Sequence, residues 1–214
     1  MSIINAERKY CYRIIHIQNL PYILAQGMVS KQHPQANAEY IQIGNPEIID
    51  VRSNTAVRIE GYGDIGEYVP FYFTPRSMML YNIVTGYRSP LVPKRNREEI
   101  VVIRCLIEQL ATLDHWFFTN GQGNDFISKH FHDLEKLSEI DWESIQQSNF
   151  NKNDGDFDRP RRYQAEFLVR HVVPLSYFES LHVYNETAKA TVEKMLETKK
   201  ILNFGVQITP TYFF

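Results

Sequence analysis

Short aromatic and β-branched runs separated by long polar stretches set the pattern of this chain. Residues 10–17 form the first run and predict a strand, which leads through Asn19, Leu20 and Pro21 to Gly27. Asn19 carries the side-chain oxygen of a helix cap, Pro21 suits a first turn, and Gly27 supplies the left-handed residue that ends one, so a short helix follows. From residue 30 to residue 66 the apolar pattern dissolves into Asn, Gln, Pro and Gly with scattered charges, Arg52 and Arg58 among them. A stretch of that length inside a compact domain is expected to line a site. Residues 67–77 read as a strand in which Pro70 implies an edge or a bulge, because proline cannot donate to a ladder. A helix is expected over 78–84, a central strand over 98–107 and a shorter strand over 114–119, closed by a glycine-containing loop at 120–124. Helical spacing covers 125–137 and, with Asp141 as cap, 141–145.

The run from Phe167 to Val173, bounded by Pro174, predicts a mostly buried strand of about seven residues. Glu166 stands at its mouth, behind a polar, mobile connector at 149–160. A carboxylate in that position is costly unless it is paired or does chemistry. Two readings stay open from the residues alone: a surface ion pair with Arg161 or Arg162, and a catalytic acid. A strand over 181–184, an amphipathic helix over 187–199 and a last strand over 203–208 complete the pattern. Strands and helices mix without regular alternation, which favours α+β over a doubly wound sheet.

At 214 residues one domain spanning 1–214 is expected, with 43% hydrophobic, 22% charged and 13% aromatic residues. That composition is globular, with aromatics to spare for a base or cofactor pocket. The formal net charge of −2 argues against a surface that coats nucleic acid non-specifically, while leaving room for a local basic groove. Cys11 and Cys105 lie inside apolar runs and are expected as buried free thiols in a reducing cytoplasm. No export pattern and no bilayer-spanning stretch is read, so no membrane partner is expected. The seven histidines show no ligand spacing with an acid, so no metal is expected. His130 and His132 would point to different sides of a helix, so they read as solvated side chains and not as a ligand pair. Gly61, Gly63 and Gly66 fit the letters of the dinucleotide fingerprint without its strand and helix, and read as a loop. Two basic clusters remain, Lys94-Arg95-Asn96-Arg97 and Arg159-Pro160-Arg161-Arg162-Tyr163. Either reads as a solvated loop; the second is the more suggestive, since arginines beside Tyr163 suit a nucleic-acid backbone and a stacked base.

Four blocks occur in order: His16-Ile17-x-Asn19-Leu20-x-x-Ile23-Leu24, Tyr68-Val69-Pro70-Phe71-Tyr72-Phe73-x-Pro75-Arg76-Ser77, Asp141-Trp142 and Gln164-Ala165-Glu166-Phe167-Leu168-Val169. Together they resemble the DarT family, DNA ADP-ribosyltransferase toxins of bacterial toxin-antitoxin systems, from about residue 12 to residue 184. The resemblance implies an ADP-ribosyltransferase-like α+β fold with a central split β-sheet flanked by helices. It also implies NAD as co-substrate, a base of single-stranded DNA as acceptor, and a cognate antitoxin that is an ADP-ribosyl hydrolase. By position, Glu166 matches the catalytic glutamate and Arg52 the essential arginine. Arg13, Ile15, His16, Asn19, Leu20, Arg52 and Tyr72 are then expected to bind NAD, and Arg76, Arg159, Arg161, Arg162 and Tyr163 to guide DNA. Residues 120–163 correspond to the substrate-recognising loop region. Three departures stand out: Arg13-Ile14-Ile15-His16 where relatives carry His before Ile-Thr-His, Met78-Met79 in place of Pro-Met, and Asn120-Gly121-Gln122-Gly123 in place of Asp-Arg-His. The first bears on a ribose contact and the last on base preference, since the family has thymidine-modifying and guanosine-modifying branches. A non-catalytic single-strand binding module, and an ADP-ribosyltransferase acting on protein or RNA, are the competing readings.

Overall fold

The computed structural model describes residues 4–153, 155–201 and 204–214, so Asn203, the expected start of the last strand, lies outside the described residues, as do residues 1–3. The strands are β1 (Tyr10–His16), β2 (Met28–Val29), β3 (Tyr68–Tyr72), β4 (Ile100–Leu106), β5 (Trp116–Thr119), β6 (His130–Phe131), β7 (Glu166–Arg170), β8 (Val172–Val173), β9 (Phe178–Val183) and β10 (Val206–Ile208). The helices are α1 (Leu20–Gln26), α2 (Pro46–Ser53), α3 (Met78–Thr85), α4 (Ile107–Leu110), α5 (Trp142–Gln146), α6 (Arg159–Arg162) and α7 (Glu186–Thr198). Eight strands form one sheet in the order β10-β9-β4-β1-β3-β7-β5-β6, and β2 pairs β8 separately. All pairings in the large sheet are antiparallel except β10 on β9.

Alternation along the strands builds two unlike faces. On one, Cys11, Ile15, Phe71, Ile103, Phe167 and Val169 form a large core with Leu20 and Ile23 of α1, Trp142 and Ile145 of α5, and Val192 and Leu196 of α7. On the other, the core is interrupted. Tyr12, Ile14, Ile100 and Val102 pack under Leu80, Ile83 and Val84 of α3, while Tyr68, Phe117 and Leu168 pack under Val57 and Ile65. Between these clusters stand Tyr72 and Glu166, cross-strand neighbours in β3 and β7.

The sheet is split as the family resemblance implies. β1 pairs β4 at seven successive positions, yet meets β3 only at Tyr12 opposite Tyr72. Pro70 follows from that split and not from the expected edge or bulge, since β3 is interior. Its carbonyl accepts from Arg13 Nη1 at 3.2 Å, so the missing N–H also faces the fork, where no ladder bond is lost.

Other expectations change for local reasons. Of the helix expected over 125–137 only the end forms, as a short 3-10 helix at Leu134–Glu139, because the guanidinium of Arg58 takes the carbonyls of Asp125, Phe126 and Ser128 that a helix would bond internally. His130 and His132 accordingly lie on and beside an edge strand, not on a helix. The expected strand after Glu166 breaks at His171, whose φ of 63° turns Val172–Val173 out to pair β2. Cys11 and Cys105 face each other across β1 and β4 as buried free thiols, each raised by burial. Among the described residues no helix is long and apolar enough to cross a membrane.

His182, wholly buried in β9 between Ser180 Oγ at 2.9 Å and Thr209 Oγ1 at 2.8 Å, gives a pH prediction. Burial lowers its pKa from 6.5 to about 4. The unfolded chain therefore binds the extra proton in that window, and stability falls as pH drops from about 6.5 towards 4, by up to about 3 kcal/mol. Thermal melts across this window should show the decline, flattened in His182→Gln; parallel curves for the two proteins would reject the assignment.

Candidate active site

Glu166 opens β7 with only 2% of its surface exposed. Its backbone N–H donates to Thr119 Oγ1 at 3.2 Å, which ties the start of the strand to the end of β5. Of the two readings left open for its carboxylate, the ion pair exists, but its partner is neither Arg161 nor Arg162. Arg52 Nη1 reaches Oε1 at 2.6 Å and Nη2 reaches Oε2 at 2.7 Å, a bidentate fork between residues 114 positions apart. Arg52 comes from the last turn of α2, a helix started by Pro46 and capped by the Asn45 side chain. Burial opposes its charge, but the carboxylate prevails and holds the guanidinium above its ordinary range.

The third ligand of the carboxylate is the backbone N–H of Gly123, 3.2 Å from Oε1. Gly123 is itself held from the other side. The Arg58 N–H donates to His130 Nδ1 at 3.0 Å, which leaves His130 Nε2 to donate to the Gly123 carbonyl at 3.0 Å. Burial keeps that imidazole below its usual pKa and so neutral. Arg58 belongs to the stretch expected to line a site, and Gly123 and His130 to the expected loop region, but none of the three was singled out as a site residue. Their signal was faint: an arginine in an aperiodic stretch, and a glycine and a histidine more than 60 positions beyond it.

A cavity of about 500 Å³ opens over this group at the fork of the sheet. Arg13, Lys31 and Arg52 supply cations, Tyr22, Tyr40 and Tyr72 aromatic surface, and Gln42, Asn45, Gln122 and Gln164 amides. The Tyr72 hydroxyl is pushed up to about 12 by burial and by the Glu166 charge, so it stays protonated. Ser30, also on the wall, has a buried hydroxyl with no hydrogen-bond partner. These groups fit a dinucleotide: cations for a pyrophosphate, aromatic faces for its rings, and amides and an idle hydroxyl for its polar edges. Much of the polar lining comes from residues 30–52, within the stretch 30–66 expected to line a site.

The expected NAD-binding residues divide. Arg13, Arg52 and Tyr72 line the cavity. Ile15 and Leu20 do not, because both are wholly buried on the helix-covered face. Buried His16 accepts the Gln18 N–H at its Nδ1, with Nε2 3.5 Å from Glu99. Asn19 does not cap α1; its side chain clasps the N–H and carbonyl of Ile41, both at 2.9 Å, and so pins the cavity wall.

The expected DNA-guiding residues change more. Tyr163 is 1% exposed, packs on Phe150 and donates its hydroxyl to the Arg76 carbonyl, so it is a core residue with no face for a base. Arg76 is bound to the carbonyls of Thr211 and Phe213, 4.2 Å over the Phe214 ring. Arg159, Arg161 and Arg162 are met by Asp141, Asp156 and Asp158, which neutralise the cluster. Arg161 also bonds Ser128 Oγ at 2.9 Å, bracing the loop that carries Gly123. Among the described residues no cluster of His, Cys, Asp and Glu is placed to hold a metal.

Comparison with known proteins agrees with this geometry. Residues 12–214 match the family model described as "DarT: ssDNA thymidine ADP-ribosyltransferase". A DNA ADP-ribosyl transferase of Escherichia coli O127:H6 is 32% identical over 194 residues, covering 90% of this chain and 88% of the relative. A fusion of a DNA ADP-ribosyl transferase with a DNA ADP-ribosyl glycohydrolase from Thermosipho africanus is 25% identical over 95% of this chain and 49% of its own length. Thermus sp. 2.9 DarT in complex with ADP-ribosylated single-stranded DNA superimposes with a TM-score of 0.86 at 29% identity, covering all of both chains. The same protein in complex with NAD+ gives 0.78 at 29% identity, over 97% of this chain and 98% of that one. A buried glutamate-arginine fork beneath a dinucleotide-sized cavity, on a sheet shared with these structures, places the chain in the DarT family of DNA ADP-ribosyl transferases.

Proposed function

We propose that this protein transfers ADP-ribose from NAD to a base of single-stranded DNA, with thymidine as the base. The fork between Glu166 and Arg52 on the cavity wall carries the reading. The bond between nicotinamide and ribose breaks with oxocarbenium character at the ribose carbon, and a carboxylate held by Arg52 and Gly123 stabilises that charge. The same carboxylate takes the proton released as the base nitrogen bonds to the ribose carbon. Arg52, with Arg13 and Lys31, neutralises the pyrophosphate. An unstacked base reaches the site at least cost from a single strand. The loop braced by Arg58, whose Gly123 touches the acid, presents Phe126, 84% exposed, and Ile127 as apolar surface for it. The thymidine assignment follows the description of the matching family model.

The fusion of a relative to a glycohydrolase supports a further part of the proposal: the chain is a cytoplasmic toxin whose cognate antitoxin is an ADP-ribosyl hydrolase. Labelled NAD offered with single-stranded DNA, duplex DNA, RNA and protein tests the acceptor. Label is expected on single-stranded DNA alone, and label on RNA or protein, or free ADP-ribose with no acceptor modified, would refute it.

A further inference from the structure

The two basic clusters of the sequence meet opposite fates in the fold. In α6 each arginine lies on a carboxylate: Arg159 on Asp156 at 3.2 Å, Arg161 on Asp158 at 2.7 Å and Arg162 on Asp156 at 2.6 Å. The loop between α3 and β4 lacks that neutralisation. From Glu67 to Glu98 the sequence holds five arginines and lysines and no acid between, in a chain of net charge −2. Arg88 and Lys94 are exposed and, among the described residues, form no ion pair, while Arg95 approaches Glu99 only to 4.0 Å. Tyr87 is 70% exposed, with the Arg88 guanidinium 5.9 Å from its ring centre. The loop is part of the site's rim. Its buried residue, Val92, lines the same cavity as Glu166 and Tyr72.

We propose that residues 87–95 are the track for the DNA phosphates flanking the modified base, with Tyr87 stacking a neighbouring base. This rests on the reading of single-stranded DNA as acceptor. Arg13, Lys31 and Arg52 line the cavity and suit the NAD pyrophosphate, whereas Arg88 and Lys94 are not part of its lining and are left for a second anionic ligand. A loop with two cations free of ion pairs among the described residues, Arg88 and Lys94, and an exposed aromatic face matches the chemistry of a flexible single strand: phosphates for the charges and an unstacked base for the ring.

The test compares the intact protein with a triple variant, Arg88→Gln, Lys94→Gln and Arg95→Gln, and with Tyr87→Ala. Binding of a labelled single-stranded oligonucleotide is measured against salt, and the KM for NAD in parallel. Each phosphate contact contributes about 0.7 to the slope of log affinity against log salt, so the triple variant should lose up to about 2 from that slope and at least about tenfold in affinity at low salt. Tyr87→Ala should weaken binding about fivefold or more with the slope kept. KM for NAD should not move in either variant. An unchanged salt slope in a protein that still modifies DNA overturns the track alone, and so does a rise in KM for NAD matching the loss of DNA affinity. An intact protein that modifies no DNA overturns the acceptor reading and the track with it.

Discussion

Glu166→Gln is expected to slow ADP-ribose transfer about 10³-fold while leaving the fold and NAD affinity nearly intact. Glutamine keeps the shape of the side chain and a carbonyl oxygen for the Gly123 N–H, 3.2 Å from Oε1 in the native site, but it loses the charge that meets the developing cation. Glu166→Ala is a poorer test. It would leave the Arg52 guanidinium, 15% exposed, without its partner, and removing one member of a buried pair costs about 3–5 kcal/mol. Both variants should therefore melt below the native protein, the glutamine variant less far because it keeps one oxygen for the Arg52 fork. Single-turnover rates beside melting curves separate chemistry from folding. A glutamine variant within tenfold of the native rate would remove Glu166 from the chemistry.

Arg52→Lys should lower turnover about 10²-fold and raise the KM for NAD about tenfold, because an ammonium reproduces neither the two-point grip on a carboxylate nor that on a pyrophosphate. Both terminal nitrogens of Arg52 are engaged, at 2.6 Å and 2.7 Å, so the substitution breaks the fork even though the charge survives. The two residues act as one unit. The double variant Glu166→Gln with Arg52→Lys should accordingly be little slower than the worse single one, a non-additivity that a kinetic cycle reads directly. Unchanged kinetics in Arg52→Lys would reject the fork as a functional arrangement.

Much of the scaffold is legible where local chemistry agrees with the tertiary structure. β1 and β4 follow from apolar runs, α3 is capped by Ser77, and α5 by Asp141 as expected. α2 escaped the hydrophobic pattern because it buries no residue and so leaves no apolar stripe to read. The helix expected over 125–137 had suitable spacing and survives only as the 3-10 turn from Leu134, because Arg58 claims the earlier carbonyls, a contact about 70 positions away that no window shows. Pro70 misled because its tolerance depends on the fork between β1 and β3. The acid itself was visible as an anomaly at a strand mouth, whereas its partner was not: only the family resemblance picked Arg52 from the aperiodic stretch. For Arg159, Arg161, Arg162 and Tyr163, composition suggested a nucleic-acid surface, and the fold turned three into an internal ion-pair network and buried the fourth.

The mass of the nucleosides released from a single-stranded oligonucleotide after incubation with NAD tests the central claim most directly. Thymidine heavier by one ADP-ribosyl group, absent with Glu166→Gln, is the predicted result. Unmodified nucleosides beside consumed NAD would contradict it.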